Sequence, residues 1–232
     1  MLKENAAQVE KRVAAACEKA GRSRGEVCLI AVSKTKPVSD IEEVLETGIL
    51  DFGENKPQEM KEKHDVLPDN IRWHMIGHLQ TNKVKYVVGR AVMIHSVDSL
   101  KLAQAIEKEA EKKGLDVDVL LEVNVGGEES KSGVRPEDAA SLAEAVSVLP
   151  RLHIRGLMTV PPVCEDPEEA RPYFRKLRQL SVDIGAKNID NVSMNVLSMG
   201  MTADFETAIE EGATHVRVGT AIFGERDYNK QL

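Results

Sequence analysis

Val27-Cys28-Leu29-Ile30-Ala31-Val32 runs directly into Ser33-Lys34-Thr35-Lys36-Pro37. An unbroken apolar run of this length suits a strand buried on both faces, as in parallel sheets, and the segment after it delivers two ammonium groups to the strand's end. Read as extended chain, Lys34 and Lys36 point to the same side. Apolar surroundings and a neighbouring like charge both disfavour a charged amine, so the pair predicts a lysine able to condense with an aldehyde. Two surface lysines in a strand-to-helix loop are the plainer alternative.

Outward from this strand the same element order recurs. Strands are expected at Val27 to Val32, Ile49 to Phe52, Arg72 to Ile76, Val92 to Ser96, Val117 to Asn124, Leu152 to Thr159, Asn195 to Ser198 and His215 to Val218. Helical spacing fills the gaps. An opening helix carries Val9, Val13, Ala16, Cys17 and Ala20 on one face, and Ser39 with Glu42 reads as a capping box. Asp98 or Ser99 caps a helix bearing Leu102 and Ile106, and Pro136 suits a first helical turn before Leu142, Ala145, Val146 and Leu149. Eight strands separated by helices, with one helix in front, predict a (β/α)8 barrel. A doubly wound open sheet satisfies the same periodicity. No Pro/Gly/Ser-rich linker interrupts residues 1–232, so one domain is expected.

The chain has 232 residues, 42% hydrophobic and 30% charged, enough to bury a full barrel core. Its net charge of -7 argues against a general nucleic-acid or anionic-membrane binder, whose affinity rests on surplus Lys and Arg. Cys17, Cys28 and Cys164 are odd in number and in no CxxC pattern, which predicts neither a disulfide framework nor a zinc module and suggests a reducing compartment. Met1-Leu2-Lys3-Glu4-Asn5 opens a charged amphipathic helix, not a signal peptide, and no apolar run reaches bilayer length. A soluble cytoplasmic protein is expected.

Polar residues and glycines gather at the strand ends, where ligands bind in either architecture. Phe52-Gly53-Glu54-Asn55, Ile76-Gly77-His78-Leu79-Gln80 and Leu197-Ser198-Met199-Gly200-Met201-Thr202 follow strands two, three and seven, and Arg217-Val218-Gly219-Thr220 ends strand eight. In barrels the last two of these loops commonly hold a phosphate, and Ser198, Gly200, Gly219 and Thr220 fit that role. Ordinary turns use the same residue types. Asp204 and Glu206 read as N-terminal partners of the helix that follows. An amine on strand one beside a phosphate cradle on strands seven and eight suits a small phosphorylated aldehyde, such as pyridoxal 5'-phosphate (PLP). Arg217, alternating with His215 and Gly219 onto one side, could face the pyridine nitrogen; being unable to accept a proton, it would leave that nitrogen unprotonated and the ring a weaker electron sink. A structural ion pair is its other reading.

Taken in order, Ala31 to Pro37, Phe52-Gly53-Glu54-Asn55, His74 to Lys83, Ser130-Lys131-Ser132-Gly133, Gly156-Leu157-Met158, Leu197 to Met201 and Val216 to Gly224 resemble the pyridoxal phosphate homeostasis protein family. The match runs from the first helix to Tyr228. The resemblance implies a single-domain, fold-type III PLP barrel similar to the N-terminal domain of alanine racemase. It implies Lys34 as the Schiff-base lysine, Asn55 bordering the ring, Ser198, Gly200, Gly219 and Thr220 at the phosphate, and Arg217 at the pyridine nitrogen. Lys36 and Lys131 would be accessory lysines for cofactor exchange, with His78, Met199 and Met201 also near the site. Met158, Met194, Met199 and Met201 otherwise read mainly as barrel core. Lys56-Pro57 departs from the usual hydrophobic continuation after Phe-Gly-Glu-Asn.

The implied role is a monomeric cytoplasmic carrier and regulator of PLP, with PLP-dependent apo-enzymes as recipients, no nucleic-acid or membrane partner, and no established turnover. Tyr86, Tyr173 and Tyr228 lie outside the strand-end motifs, so none supplies the second base of a racemase. Two alternatives stand beside it. One is a monomeric amino-acid racemase using Lys34 with His78 or Lys36. The other is a metal-dependent barrel using His74 and His78, for which the nearby Cys residues complete no ligand set, so no metal is expected.

Overall fold

The computed structural model describes residues 1–128 and 131–225; Ser130 and Tyr228, both within the family resemblance, lie outside the described residues. Eight strands, β1 (Cys28–Val32), β2 (Asp51–Glu54), β3 (Arg72–Met75), β4 (Ala91–Val97), β5 (Val117–Glu122), β6 (Leu152–Met158), β7 (Val192–Met201) and β8 (His215–Val218), form a closed barrel in sequence order. All pairings are parallel, and β1 closes on β8 with Ala31 opposite Val218. Closure removes the open-sheet alternative.

Around the barrel lie α1 (Leu2–Lys19), α2 (Val38–Leu45), α3 (Pro57–His64), α4 (Leu100–Lys113), α5 (Ala139–Ser147), α6 (Pro167–Gly185), α7 (Phe205–Glu210) and α8 (Thr220–Phe223). Between β3 and β4 the connection is a 3-10 segment, Thr81–Tyr86, instead of an α-helix. Only Val84 of that segment is buried, which is too little apolar surface to hold an amphipathic helix against the barrel. Ser99 caps α4 by accepting from Leu102 N–H, as its position predicts. The expected Ser39–Glu42 box is not formed: α2 starts at Val38 with Pro37 as N-cap, so Ser39 already sits in the first turn. Pro57 opens α3 at the unusual Lys56-Pro57 pair, where a missing N–H costs nothing.

Two strand boundaries differ from the sequence reading for one reason. β2 runs two residues later than expected, and β7 extends well below Asn195. An apolar-run criterion cannot see strands built around Asp51 and Gly53, or around Ser193 and Asn195, whose place is set by pairing with neighbours.

The main apolar layer lies between strands and helices, with Phe52, Trp73, Met75, Ile94, Ile106, Phe174 and Phe205 fully buried. Burying each such side chain contributes about 1.5–3 kcal/mol. A second, smaller apolar cluster joins Met93, Leu120 and Met158 from β4, β5 and β6. Met199 belongs to the strand–helix layer, while Met194 and Met201 are only half-buried.

Candidate functional site

Lys34 sits on a tight turn, not on extended chain. Lys36 N–H donates to Ser33 C=O at 3.0 Å, and Thr35 takes a positive φ of 64°. The turn is clamped from below. Ser33 Oγ donates to Glu54 Oε1 at 2.7 Å, and the buried Lys63 ammonium donates to Ser33 C=O at 2.8 Å, to Glu54 at 2.7 Å and to Glu59 at 2.8 Å. Thr35 N–H donates to Glu59 Oε1 at 2.5 Å. Burial pushes the Glu54 carboxyl above its usual range, and Lys63 opposes that push.

The turn gives Lys36 partners at the end of α8. Lys34 remains half-buried at the end of β1, whereas Lys36 Nζ reaches Phe223 C=O at 2.8 Å, Gly224 C=O at 3.4 Å and Glu225 C=O at 3.3 Å. The extended chain on which the shared-side expectation rests is replaced by a turn, and Lys36 binds the carbonyls that end α8, a favourable place for a cation. Lys63 and Glu59, which hold the turn, carry no signal in the sequence beyond their helical spacing.

Across the β1–β8 closure lie the ends of β7 and β8. A Cβ at Gly219 would lie 3.4 Å from Val32, so this glycine adjoins the strand that leads to Lys34. Gly219 N–H donates to Thr202 Oγ1 at 3.3 Å, and Thr220 is exposed at the start of α8. Gly200 has a φ of 93°, and a Cβ there would come within 2.6 Å of Ala208, so only glycine lets β7 turn at this point.

Ser198 is placed differently from the expectation. Its fully buried hydroxyl accepts from Arg217 Nη1 at 2.6 Å and lies 2.9 Å from His95 Nδ1, so it faces the barrel interior. The hydroxyl beside Gly219 belongs to Thr202, which the sequence reading passed over although it stands in the same motif. Arg217 also donates through Nη2 to Thr159 C=O at 2.7 Å, and burial takes its pKa down to about 10.

The remaining candidates ring the same mouth. Asn55 follows β2 and is half-buried; a Cβ at Gly77 would lie 2.5 Å from the Asn55 carbonyl oxygen, so the β3 end can cross there only as glycine. His78 is exposed, with Nδ1 3.5 Å from Asp98, and is not beside the buried His74. Lys131 is half-buried in the loop after β5, its N–H donating to Glu128 C=O at 3.1 Å. Met201 N–H donates to Asp204 Oδ1 at 2.6 Å, and Glu206 pairs with Arg12 of α1. Glu122, at the end of β5, was not singled out by its sequence context. It is buried, its Oε2 has no hydrogen-bond partner among the described residues, and burial together with Asp98 takes its carboxyl up to about 7 against the attraction of Arg217.

The opposite mouth holds a cavity of about 1020 Å³, lined in part by Cys28, Asp51, Arg72, His74 and His215. Ligand atoms of Cys28, Asp51 and His74 lie within 4.8 Å of one another, so His74 meets a cysteine that its sequence spacing did not suggest. These groups already have protein partners: Asp51 binds Arg72 and His74, and His74 binds His95.

Residues 5–227 match the alanine racemase N-terminal domain family. A pyridoxal phosphate homeostasis protein of Aquifex aeolicus (strain VF5) is 50% identical over 226 residues, covering 97% of this chain and 98% of its own. The chain belongs to the pyridoxal phosphate homeostasis protein family, within the alanine racemase N-terminal domain family. A member of this homeostasis family's fold, PipY of Synechococcus elongatus PCC7942 with PLP bound, superposes with a TM-score of 0.83 at 32% identity, over 97% of this chain and 100% of that one. Alanine racemase of Clostridium difficile 630 shares the fold at 13% identity, with a TM-score of 0.72 over 97% of this chain and 58% of that one.

Proposed function

We propose that residues 1–232 form a single PLP-binding barrel that carries and regulates intracellular PLP, held covalently by Lys34. The observation that carries this reading is the adjacency, across the β1–β8 closure, of the clamped Lys34 turn and the Thr202, Gly219 and Thr220 groups. An amine on one side of this closure and N–H and hydroxyl groups on the other suit a small molecule with an aldehyde at one end and a phosphate at the other. PLP, when bound, supplies an electrophilic carbonyl and an electron-withdrawing ring.

The protein's own groups then divide the work. Glu54, Lys63 and Glu59 hold the turn so that the Lys34 amine is presented without reorganisation. Thr202, Gly200, Gly219 and Thr220 take the phosphate, with Thr202 replacing the Ser198 hydroxyl. Asn55 borders the ring. Arg217, with a pKa near 10, stays protonated at neutral pH and offers only N–H donors, which leaves the pyridine nitrogen as an acceptor. That choice weakens carbanion chemistry and favours holding the cofactor over turning substrate over. Tyr86 lies in the 3-10 segment after β3 and Tyr173 in α6, so neither stands at the strand ends as a second base.

We read the chain as a cytoplasmic monomer that passes PLP to apo-enzymes, with Lys131 assisting exchange; no helix among the described residues is long and apolar enough to cross a membrane. An absorption spectrum of PLP-loaded protein before and after borohydride, followed by peptide mapping, tests the attachment. The expected label is on Lys34; a label on Lys36 or Lys131 would reassign the site. Loaded protein incubated with L-amino acids in deuterated water tests the non-catalytic part, and sustained α-proton exchange at enzymatic rates would make the chain a racemase-type enzyme.

A further inference from the structure

Barrel interiors are ordinarily filled by layers of branched apolar side chains. Here the interior holds His74, His95, Ser198 and Arg217, none more than 4% exposed. They join end to end. Arg217 Nη1 lies 2.6 Å from Ser198 Oγ, Ser198 Oγ 2.9 Å from His95 Nδ1, His95 Nε2 2.9 Å from His74 Nδ1, and His74 Nε2 3.0 Å from Asp51 Oδ1. The sequence connects the guanidinium on the cofactor side with a carboxylate at the cavity of the opposite mouth.

Proton counting gives the chain a direction. Asp51 is ionised and can only accept, because the hydrogen bonds from His74 and Arg72 outweigh its burial and hold it below the usual carboxylate range. His74 must therefore carry a proton on Nε2. With a neutral His74, Nδ1 is an acceptor and His95 must donate from Nε2. Burial holds His95 well below its usual pKa, so it is neutral and its Nδ1 in turn accepts from the Ser198 hydroxyl. The Ser198 oxygen is left to accept from Arg217. Every hydrogen then points from Arg217 toward Asp51.

The reverse direction is worse on the same geometry. If His74 were doubly protonated, His95 would donate from Nδ1 to Ser198 Oγ, where Arg217 already donates. The Ser198 hydroxyl hydrogen would then have no acceptor among the described residues, at a cost of about 1–3 kcal/mol for a buried donor. It would also place a second cation in the interior that holds Arg217.

We propose that Asp51, His74, His95 and Ser198 form a one-way hydrogen-bonded chain that orients Arg217 toward the cofactor ring, which makes His74, His95 and Asp51 positioning residues for a group they do not touch. The proposal rests on the PLP reading above. Two guanidinium N–H groups are committed to the wall, to Ser198 and Thr159, and the others have no hydrogen-bond partner among the described residues. Asp51 supplies the distant counter-charge that polarises the chain. Its charged and titratable neighbours are His215, which burial takes down to about 4, Cys28, which burial takes up to about 12, Arg72 on Asp51, and Glu122 and Asp204 near Arg217.

The test has a ligand-free arm and a loaded arm. In ligand-free protein labelled with 15N-histidine, long-range 1H–15N NMR at neutral pH should show His74 and His95 neutral with the proton on Nε2. Ser198→Ala should move the His95 Nδ1 resonance to that of an unbonded ring nitrogen, and Ser198→Thr should restore it. A proton on Nδ1 of either ring, or an imidazolium at His74, overturns the direction. In PLP-loaded protein, Asp51→Asn and Ser198→Ala should each shift the pH midpoint of the bound cofactor's absorption band by about half a unit or more. Glu107→Gln, a buried carboxylate on α4 outside the chain, should not. Shifts no larger than this control's would refute the coupling. A wild type with no PLP band would sink the PLP reading instead, while the ligand-free arm still decides the chain.

Discussion

The two mouths of this barrel make opposite use of similar residues. At the C-terminal mouth, a buried ammonium, Lys63, is surrounded by Ser33, Glu54 and Glu59 and holds a turn in place. At the N-terminal mouth, Arg72 lies half in solvent on Asp51, beside the large cavity. A cavity of about 1020 Å³ thus lies at the end away from Lys34, and the candidate site is marked by polar groups on strand ends. Cofactor capture needs convergent polar groups on rigid elements, which the strand ends supply.

The largest effect that would break this contrast concerns the lysine itself. Lys34→Ala should abolish borohydride-fixed PLP, read by mass spectrometry, while Cys28→Ala at the other mouth should keep it; the opposite pattern would move the site. Next comes the clamp. Lys63→Met leaves Glu54 buried without its cation and should cost about 3–5 kcal/mol in urea unfolding.

Glu122 sharpens the contrast through pH. Its folded pKa of about 7 lies above the ordinary 4.5, so the folded state holds an extra proton between those values, and stability falls as pH rises through about 7. Glu122→Gln should remove that fall and gain roughly 2–3 kcal/mol over wild type at pH 8.5 relative to pH 4.5, measured by denaturant titration at both. A parallel pair of curves would show that Glu122 is solvated. The smallest effect belongs to the half-exposed Arg72: Arg72→Ala should cost about 1 kcal/mol in the same assay, because its guanidinium is half in water and the buried Asp51 keeps its bond to His74.

The placement of the candidate residues was legible because they sit on strand ends, where the order of motifs maps directly onto the order of strands. Lys34, Asn55, Gly200, Gly219 and Thr220 all fall at the C-terminal mouth or its strand ends. What could not be read were side-chain destinations. Lys36 looked like the partner of Lys34, but Thr35 adopts a positive φ that threonine seldom takes, and the turn sends Lys36 to the end of α8. Ser198 looked like a phosphate ligand, yet His95 is 103 residues away in sequence and claims its hydroxyl. Thr202 was in view and passed over because a hydroxyl four residues earlier stood in the better-defined strand.

Apolar runs and amphipathic stretches were enough to specify eight strands alternating with helices and to put an amine at the end of the first strand, since burial patterns are local and repeat along the chain, whereas closure of the sheet came from the pairing of β1 with β8. Tertiary structure alone decided which hydroxyl lies beside Gly219, which lysine is spent on a helix end, and that three imidazoles converge inside the barrel. Hydrogen-bond partners are chosen by distance in space, and closing a barrel brings together residues that no spacing along the sequence relates.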